Sequence, residues 1–355
     1  MSGTMRAFVI EDIGKVAVVD KPIPDPGPDE AVVRTTAALI CTSDVHTVKG
    51  AIPVPPGRTL GHESVGVIHA LGSAVEGFSV GERVVVGAVT PCFRCLPCQR
   101  GFTSQCRGML GGYNFTVQID GNMAEYFTVP FAQANLCRIP DDVTDEQAVY
   151  CTDMLSTGFV GVEHAELALG ETVAVFAQGP VGLAATIGCR LAGAGLILAV
   201  ESRPERQKLA LHFGADVIVD YTKGDPVEQI MGLTDGVGVD AAIEAYGFPE
   251  TFEACVRATK PGGRISNVGY HGENPAPLQI PLLEFGLGMS DKSIRTGLCP
   301  GGSERMTRLL RLIRTGKVDP TPMTTHHFAF DQIERAFEMM TTKEDGIIKP
   351  LIEFG

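Results

Sequence analysis

The sequence predicts an α/β chain in two parts, a doubly wound parallel sheet and a second, mainly β domain. Three observations predict it. Between Thr172 and Glu201 the chain reads strand, glycine turn, small-residue helix, strand, acid. Strand-like and helix-like stretches then alternate through Val268, the pattern of parallel strands joined by crossover helices. Upstream, from Gly61 to Val89, short runs rich in Val and Gly are broken by turns at Leu71-Gly72-Ser73 and Val80-Gly81-Glu82, which suits a small barrel-like β domain.

Composition sets the outer limits. The chain has 355 residues, 44% hydrophobic and 20% charged, enough for two domains with a substantial core. A formal net charge of -13 repels polyphosphates, so a nucleic-acid partner is not expected. Ten cysteines with no charged-then-apolar pattern over Met1–Arg6 point to a reducing, cytoplasmic setting, with thiols used for metals or packing. The run Thr172–Val200 is apolar enough to suggest a membrane span. Gln178-Gly179-Pro180, Arg190 and Gly193-Ala194-Gly195 interrupt it, so it reads as a buried βαβ unit and no membrane partner is expected.

In chain order, Met5–Val19 reads as a hairpin and Pro22–Pro28, with four prolines, as a rim loop. Ala31–Ile40 is an apolar strand that delivers Cys41. The stretch Cys41-Thr42-Ser43-Asp44-Val45-His46, a Pro/Gly loop, then Gly61-His62-Glu63 brings a thiol and an imidazole within reach of one metal. Ser43 and His46 add a hydroxyl and a second imidazole, the parts needed to carry a proton away from a polarised oxygen. Cys92, Cys95, Cys98 and Cys106 crowd one loop turned by Pro91, Pro97 and Gly101. Four thiolates so placed suit a closed tetrahedral zinc site; an iron–sulfur cluster also takes four thiolates and stays open as an alternative. Asp153 precedes a helical stretch beginning near Ser156, where a carboxylate serves equally as a helix cap or a metal ligand.

The second part opens with the strand Thr172–Ala177. Gly179 lets the backbone approach a pyrophosphate, the helix N-terminus after Pro180 and Val181 offers free N–H groups, and Gly182 permits close helix–strand packing. Glu201, ending the next strand, can accept bonds from ribose hydroxyls, so this stretch reads as a dinucleotide site despite Ala177 at the first glycine position. In the tail, Glu304–Arg314 is a helix stopped by Gly316, and Asp331 with Glu334 reads as a capping box.

Taken together, these segments resemble the zinc-dependent medium-chain alcohol dehydrogenases, above all the bacterial secondary-alcohol dehydrogenases. The resemblance covers essentially the whole chain and includes Thr157-Gly158-Phe159 and Gly297-Leu298-Cys299-Pro300-Gly301-Gly302. It implies a GroES-like catalytic domain over 1–155 and 296–355, split around a Rossmann domain over 156–295. It implies a catalytic zinc on Cys41, His62 and Asp153, with Glu63 adjacent or exchangeable. The secondary-alcohol members often lack the four-Cys lobe; this chain departs from them in keeping all four thiols, and Cys92, Cys95, Cys98 and Cys106 support a structural zinc, two zinc ions per subunit in all. Ser43 and His46 match the proton relay, which runs by way of the cofactor ribose, and Leu298 lies near the nicotinamide. Ile52, Ala88, Val89, Tyr113, Leu298 and Cys299 are candidate pocket walls, uncharged, which favours small secondary alcohols and their ketones.

NAD is favoured because NADP-using members carry a small residue where this chain has Glu201. Ser202 follows that acid directly. Arg203 and Tyr221 stand where those members grip the 2′-phosphate, so NADP is the alternative. Formaldehyde or polyol oxidation within the same family is another alternative, and a zinc-stabilised NADH sensor without turnover is the reading from a different class. The resemblance also implies a homotetramer, with a dimer as the fallback.

Overall fold

The computed structural model describes residues 3–273 and 276–355; Met1 and Ser2 of the N-terminal stretch lie outside the described residues. The chain divides into two compact units, one of Met1–Ser156 with Cys299–Gly355, the other of Thr157–Leu298.

In the first unit, β1 (Thr4–Asp12) and β2 (Lys15–Pro22) form an antiparallel hairpin, with the short β4 (Arg58–Thr59) on the other side of β1. The main sheet is built on β3 (Ala31–Leu39), which pairs antiparallel with β5 (Ser64–Leu71), β7 (Tyr126–Val129) and the last strand, β16 (Lys349–Glu353). Beyond β5 lie β6 (Arg83–Val86) and β8 (Leu136–Arg138), and beyond β16 lies β15 (Thr324–Ala329). Val, Ala and Leu of β3 are buried on both faces, against Phe8, Ile40 and Phe337 on one side and Phe115 and Phe127 on the other.

Register places the chemistry. Ala38 pairs with Ser64 and Leu39 with Leu351, and the Leu39 N–H donates to the Glu63 carbonyl at 2.9 Å. The end of β3, the start of β5 and the start of β16 therefore converge. They carry Cys41, His62-Glu63 and Lys349 to one place. The capping-box reading of Asp331 and Glu334 needs correction. The Gln332 side chain caps the Ala329 N–H at 3.2 Å, Asp331 pairs with Arg6, and Glu334 accepts from the Val18 N–H at 3.1 Å. Tertiary partners outcompete the local bond.

In the second unit a six-stranded sheet runs in the order β11 (Val217–Val219), β10 (Leu196–Val200), β9 (Thr172–Phe176), β12 (Val239–Glu244), β13 (Thr259–Asn267), β14 (Ser293–Thr296), with every pairing parallel. The inner strands are almost wholly buried, as strands covered on both faces must be. Strand order reverses between β9 and β12. Open α/β sheets bind ligands outside the carboxyl ends at such a point. Gly182, in the helix Pro180–Ala192, lies there: a Cβ on it would stand 1.8 Å from the Ala177 carbonyl oxygen, so no other residue fits.

Ala177 itself carries φ +70°, in the left-handed region. A non-glycine residue held there costs about 1–2 kcal/mol, partly offset by the extra freedom glycine brings to the unfolded chain, about 0.4–1 kcal/mol. Ala177→Gly is therefore expected to raise stability by roughly 0.5–1 kcal/mol, read as an upward shift of the urea midpoint at unchanged slope. A lower midpoint would show that the turn is not strained.

Candidate metal centre and dinucleotide site

Cys41 caps the helix Thr42–Val48, and Asp44 locks this start: its carboxylate accepts from the Cys41 N–H at 2.9 Å and from the Gly61 N–H at 3.1 Å. One buried acid thus ties together the two segments that bear the thiol and the imidazole. Asp153, just before the helix Met154–His164, is fixed by its neighbour, since the Thr152 carbonyl accepts from the Ala88 N–H at 2.8 Å.

Ligand atoms of Cys41, His62, Glu63 and Asp153 all lie within 4.8 Å of one another. His62 Nε2 faces this group, 3.3 Å from Asp153 Oδ2, 3.3 Å from Ser43 Oγ and 3.9 Å from Glu63 Oε1. Its Nδ1 faces the other way, 2.9 Å from Tyr113 Oη and 3.5 Å from Asp44 Oδ1. Glu63 is wholly buried; its Oε2 accepts from Lys349 Nζ at 2.5 Å, whereas its Oε1 has no hydrogen-bond partner.

A metal fits this arrangement. Burial pushes the Glu63 carboxyl up to about 7 even though Lys349 pulls it down. Burial also works against charge on Lys349, yet Glu63, Cys41 and Asp153 hold its ammonium above the ordinary range. One lysine faces a thiol and two carboxyls, so a dication would complete the balance. One sulfur, one imidazole nitrogen and carboxylate oxygens are the donor set of a zinc site that keeps a position open.

The second cluster holds Cys92, Cys95, Cys98 and Cys106, their sulfurs also within 4.8 Å of one another. Sulfurs on one tetrahedral ion at Zn–S about 2.3 Å stand about 3.8 Å apart, and Cys95 and Cys106 are 3.9 Å apart. A multi-iron cluster needs a wider cage, so the geometry favours a single ion over the iron–sulfur alternative. Against the cost of burial, the Arg94 and Cys95 amides pull the Cys92 thiol down to about 6, ready to ligate as thiolate.

In the second unit, Glu201 is almost fully buried at the end of β10. Its carboxylate accepts from the N–H groups of Gln178 at 3.2 Å, Ser202 at 2.8 Å and Arg203 at 3.0 Å. It thereby joins the Gln178-Gly179 turn to the following loop. Ser202 donates to Tyr221 Oη at 2.6 Å. Pro180 and Val181 open the helix behind Gly179.

Ala88 and Val89 are fully buried, and the Ala88 N–H donates to the Thr152 carbonyl next to Asp153; Ile52 and Leu298 are part-exposed; Cys299 is buried where the chain re-enters the first unit. His46 lies one turn after Ser43 on the same short helix, partly buried. Three residues of these sites had no role in the sequence reading. They are Asp44, Lys349, and Arg206, whose Nη1 is 3.6 Å from Glu201. For Lys349 a signal existed: it is a lone charge inside the apolar run Ile347–Ile352.

Comparison with known proteins decides the family. Residues 27–141 match the alcohol dehydrogenase GroES-like domain, and residues 180–315 match the zinc-binding dehydrogenase domain. An alcohol dehydrogenase from Cupriavidus necator is 46% identical over 99% of this chain and 100% of its own length. The chain belongs to the zinc-binding alcohol dehydrogenase family.

Within that family it is 47% identical to an NADP-dependent isopropanol dehydrogenase from Thermoanaerobacter brockii, over 98% of this chain and 99% of that protein. Among solved structures, an alcohol dehydrogenase from Thermus sp. ATN1 superposes with a TM-score of 0.90 at 33% identity, covering 99% of this chain and 100% of that one. The GroES-like and Rossmann fold, the zinc and nicotinamide chemistry, and alcohol–ketone oxidoreduction follow from this membership. Among the described residues no helix is long and apolar enough to cross a membrane.

Proposed function

We propose that the protein oxidises small secondary alcohols to ketones and runs the reverse, with NAD as hydride carrier. The carrying observation is the buried four-donor set of Cys41, His62, Glu63 and Asp153, with Glu63 anchored by Lys349. In this reading the first unit is the catalytic domain, with Cys92, Cys95, Cys98 and Cys106 holding a structural zinc, and the second is the dinucleotide domain. A zinc ion held there would supply Lewis acidity, and a bound dinucleotide would supply the hydride acceptor or donor.

The chain's own residues do the rest. Cys41, His62 and Asp153 hold the metal, and Glu63 Oε1 is a reserve ligand. Ser43 Oγ would accept the alcohol proton while giving up its own O–H proton toward His46, one turn on, which would release a proton to solvent. Within the first unit, Tyr113, Ala88, Val89, Ile52 and Cys299 would form apolar surroundings for the substrate. An absorbance screen of primary, secondary and polyol substrates, with and without chelator, tests the reading. Secondary alcohols are expected to turn over fastest and only without chelator. A thiol-adduct requirement or a polyol preference would favour the sister activities, and NADH binding without turnover would favour the sensor.

The choice of NAD rests on Glu201. Three backbone amides pin its carboxylate, so it cannot turn away from a 2′-phosphate, and two like charges in a buried turn repel. The second reading, NADP, draws support from Arg203, the Ser202–Tyr221 pair and relatives such as the NADP-dependent isopropanol dehydrogenase of Thermoanaerobacter brockii. The native enzyme is expected to show at least about tenfold higher kcat/KM with NAD, a difference of roughly 1.4 kcal/mol. Glu201→Ala should erode it. Equal or greater efficiency with NADP in the native enzyme would contradict the assignment.

The proposal includes self-association in the cytoplasm. Among the described residues β14 ends the strand order of its sheet, and Leu282, Leu283, Leu287 and Met289, in the segment that leads into it, are 59–80% exposed. Such an edge with an apolar patch suits a second copy of the chain. One such contact accounts for dimers, and the resemblance extends this to a tetramer. Sedimentation velocity should find tetramers, or dimers at least; a monomer at micromolar concentration would exclude both.

A further inference from the structure

We propose that Tyr113, beyond lining the substrate pocket, is a positioning residue for the catalytic metal: its hydroxyl fixes the His62 ring so that Nε2 faces the ion. The inference rests on the zinc reading given above. Its basis is the division of labour between the two ring nitrogens. Nε2 points at Asp153, Ser43 and Glu63, the metal side. Nδ1 points at the Tyr113 hydroxyl, 2.9 Å away.

A ligating histidine needs its second nitrogen protonated and held, because the partner of that N–H sets the tautomer and the ring's orientation. Two groups face Nδ1, and they differ. Asp44 Oδ1 stands at 3.5 Å and also accepts from the Gly61 amide, while Oδ2 accepts from the Cys41 amide; the carboxylate can share Nδ1–H, but it is the more distant of the two groups. The phenol oxygen is closer, and a hydroxyl oxygen can accept from Nδ1–H while donating elsewhere. The two rings also meet edge to face, with centroids 5.2 Å apart and planes at 67°, which restrains rotation of the imidazole. Packing and hydrogen bond thus agree on one ring orientation.

The position carries a sequence consequence. Phenylalanine would keep the ring contact and lose the acceptor. Tryptophan would offer only a donor, which cannot pair with Nδ1–H. The hydroxyl, rather than bulk or aromaticity, is what the inference makes important.

The test is metal affinity in the full-length protein, with the wild type, Tyr113→Phe and Tyr113→Trp measured side by side. Zinc is removed from the catalytic site with a chelator and Co2+ is titrated in, followed by its visible d–d bands. Zinc affinity is then measured by competition. Loss of a hydrogen bond to a ligating histidine weakens metal binding about 10–100-fold, so both variants are expected to bind at least about tenfold more weakly, with shifted cobalt bands. Far-UV circular dichroism and an unchanged response of the four-cysteine site serve as the folding control. Wild-type affinity and spectrum in Tyr113→Phe, with only KM altered, would overturn the inference and leave the residue as a pocket wall. A wild-type protein that binds no metal beside Cys41 would instead overturn the zinc reading itself.

Discussion

Above about pH 7, where Glu63 is charged beside it, replacing Lys349 with methionine is expected to destabilise the metal-free protein by up to about 3–5 kcal/mol, the usual cost of stranding one member of a buried ion pair. Lys349 and Glu63 are both fully buried, and Nζ also donates to the Ile40 carbonyl at 3.2 Å. Methionine fills the same space but leaves Glu63 Oε2 without a donor, beside an Oε1 that already lacks one. The expected reading is a lower denaturant midpoint at unchanged slope. The double variant Lys349→Met with Glu63→Gln should recover much of the loss, because the stranded charge is gone. A loss below about 1 kcal/mol in the single variant would mean that Glu63 is neutral and the pair is not an ion pair.

The second large effect is on turnover. Cys41→Ala removes the thiolate from the catalytic set and is expected to lower alcohol-dependent NADH formation by at least about 10³-fold. Lewis-acid polarisation is worth several kcal/mol, and each 1.36 kcal/mol is tenfold in rate. Dinucleotide binding should survive, because Gly179, Gly182 and Glu201 belong to the other compact unit. NADH titration by fluorescence alongside the steady-state rate separates the two. Activity within tenfold of the wild type would remove Cys41 from the metal.

Much of this was legible before any coordinates, for physical reasons. Parallel strands buried on both faces leave long apolar runs, so β9 and β10 announced themselves. Glycine at 182 is forced by a carbonyl against its Cα, so the turn was readable even with alanine at 177. The thiols in the 92–106 loop were readable because so many in one short loop have few other uses. What stayed hidden depends on contacts distant in sequence. Lys349 meets Glu63 only because β16 pairs with β3. Tyr113 was read as a pocket wall, since nothing local marks which ring nitrogen a hydroxyl will reach. Asp331 and Glu334 followed a local rule, yet Arg6 and the Val18 amide, from the far end of the chain, took them instead.

The central claim is that Cys41, His62 and Asp153 hold a zinc ion on which turnover depends. Elemental analysis of the purified protein, paired with its rate before and after chelation, tests it most directly. Two zinc ions per chain are expected, with activity lost as the more accessible one is stripped and restored when zinc returns. Full activity in protein holding only the metal of the four-cysteine loop would contradict the account.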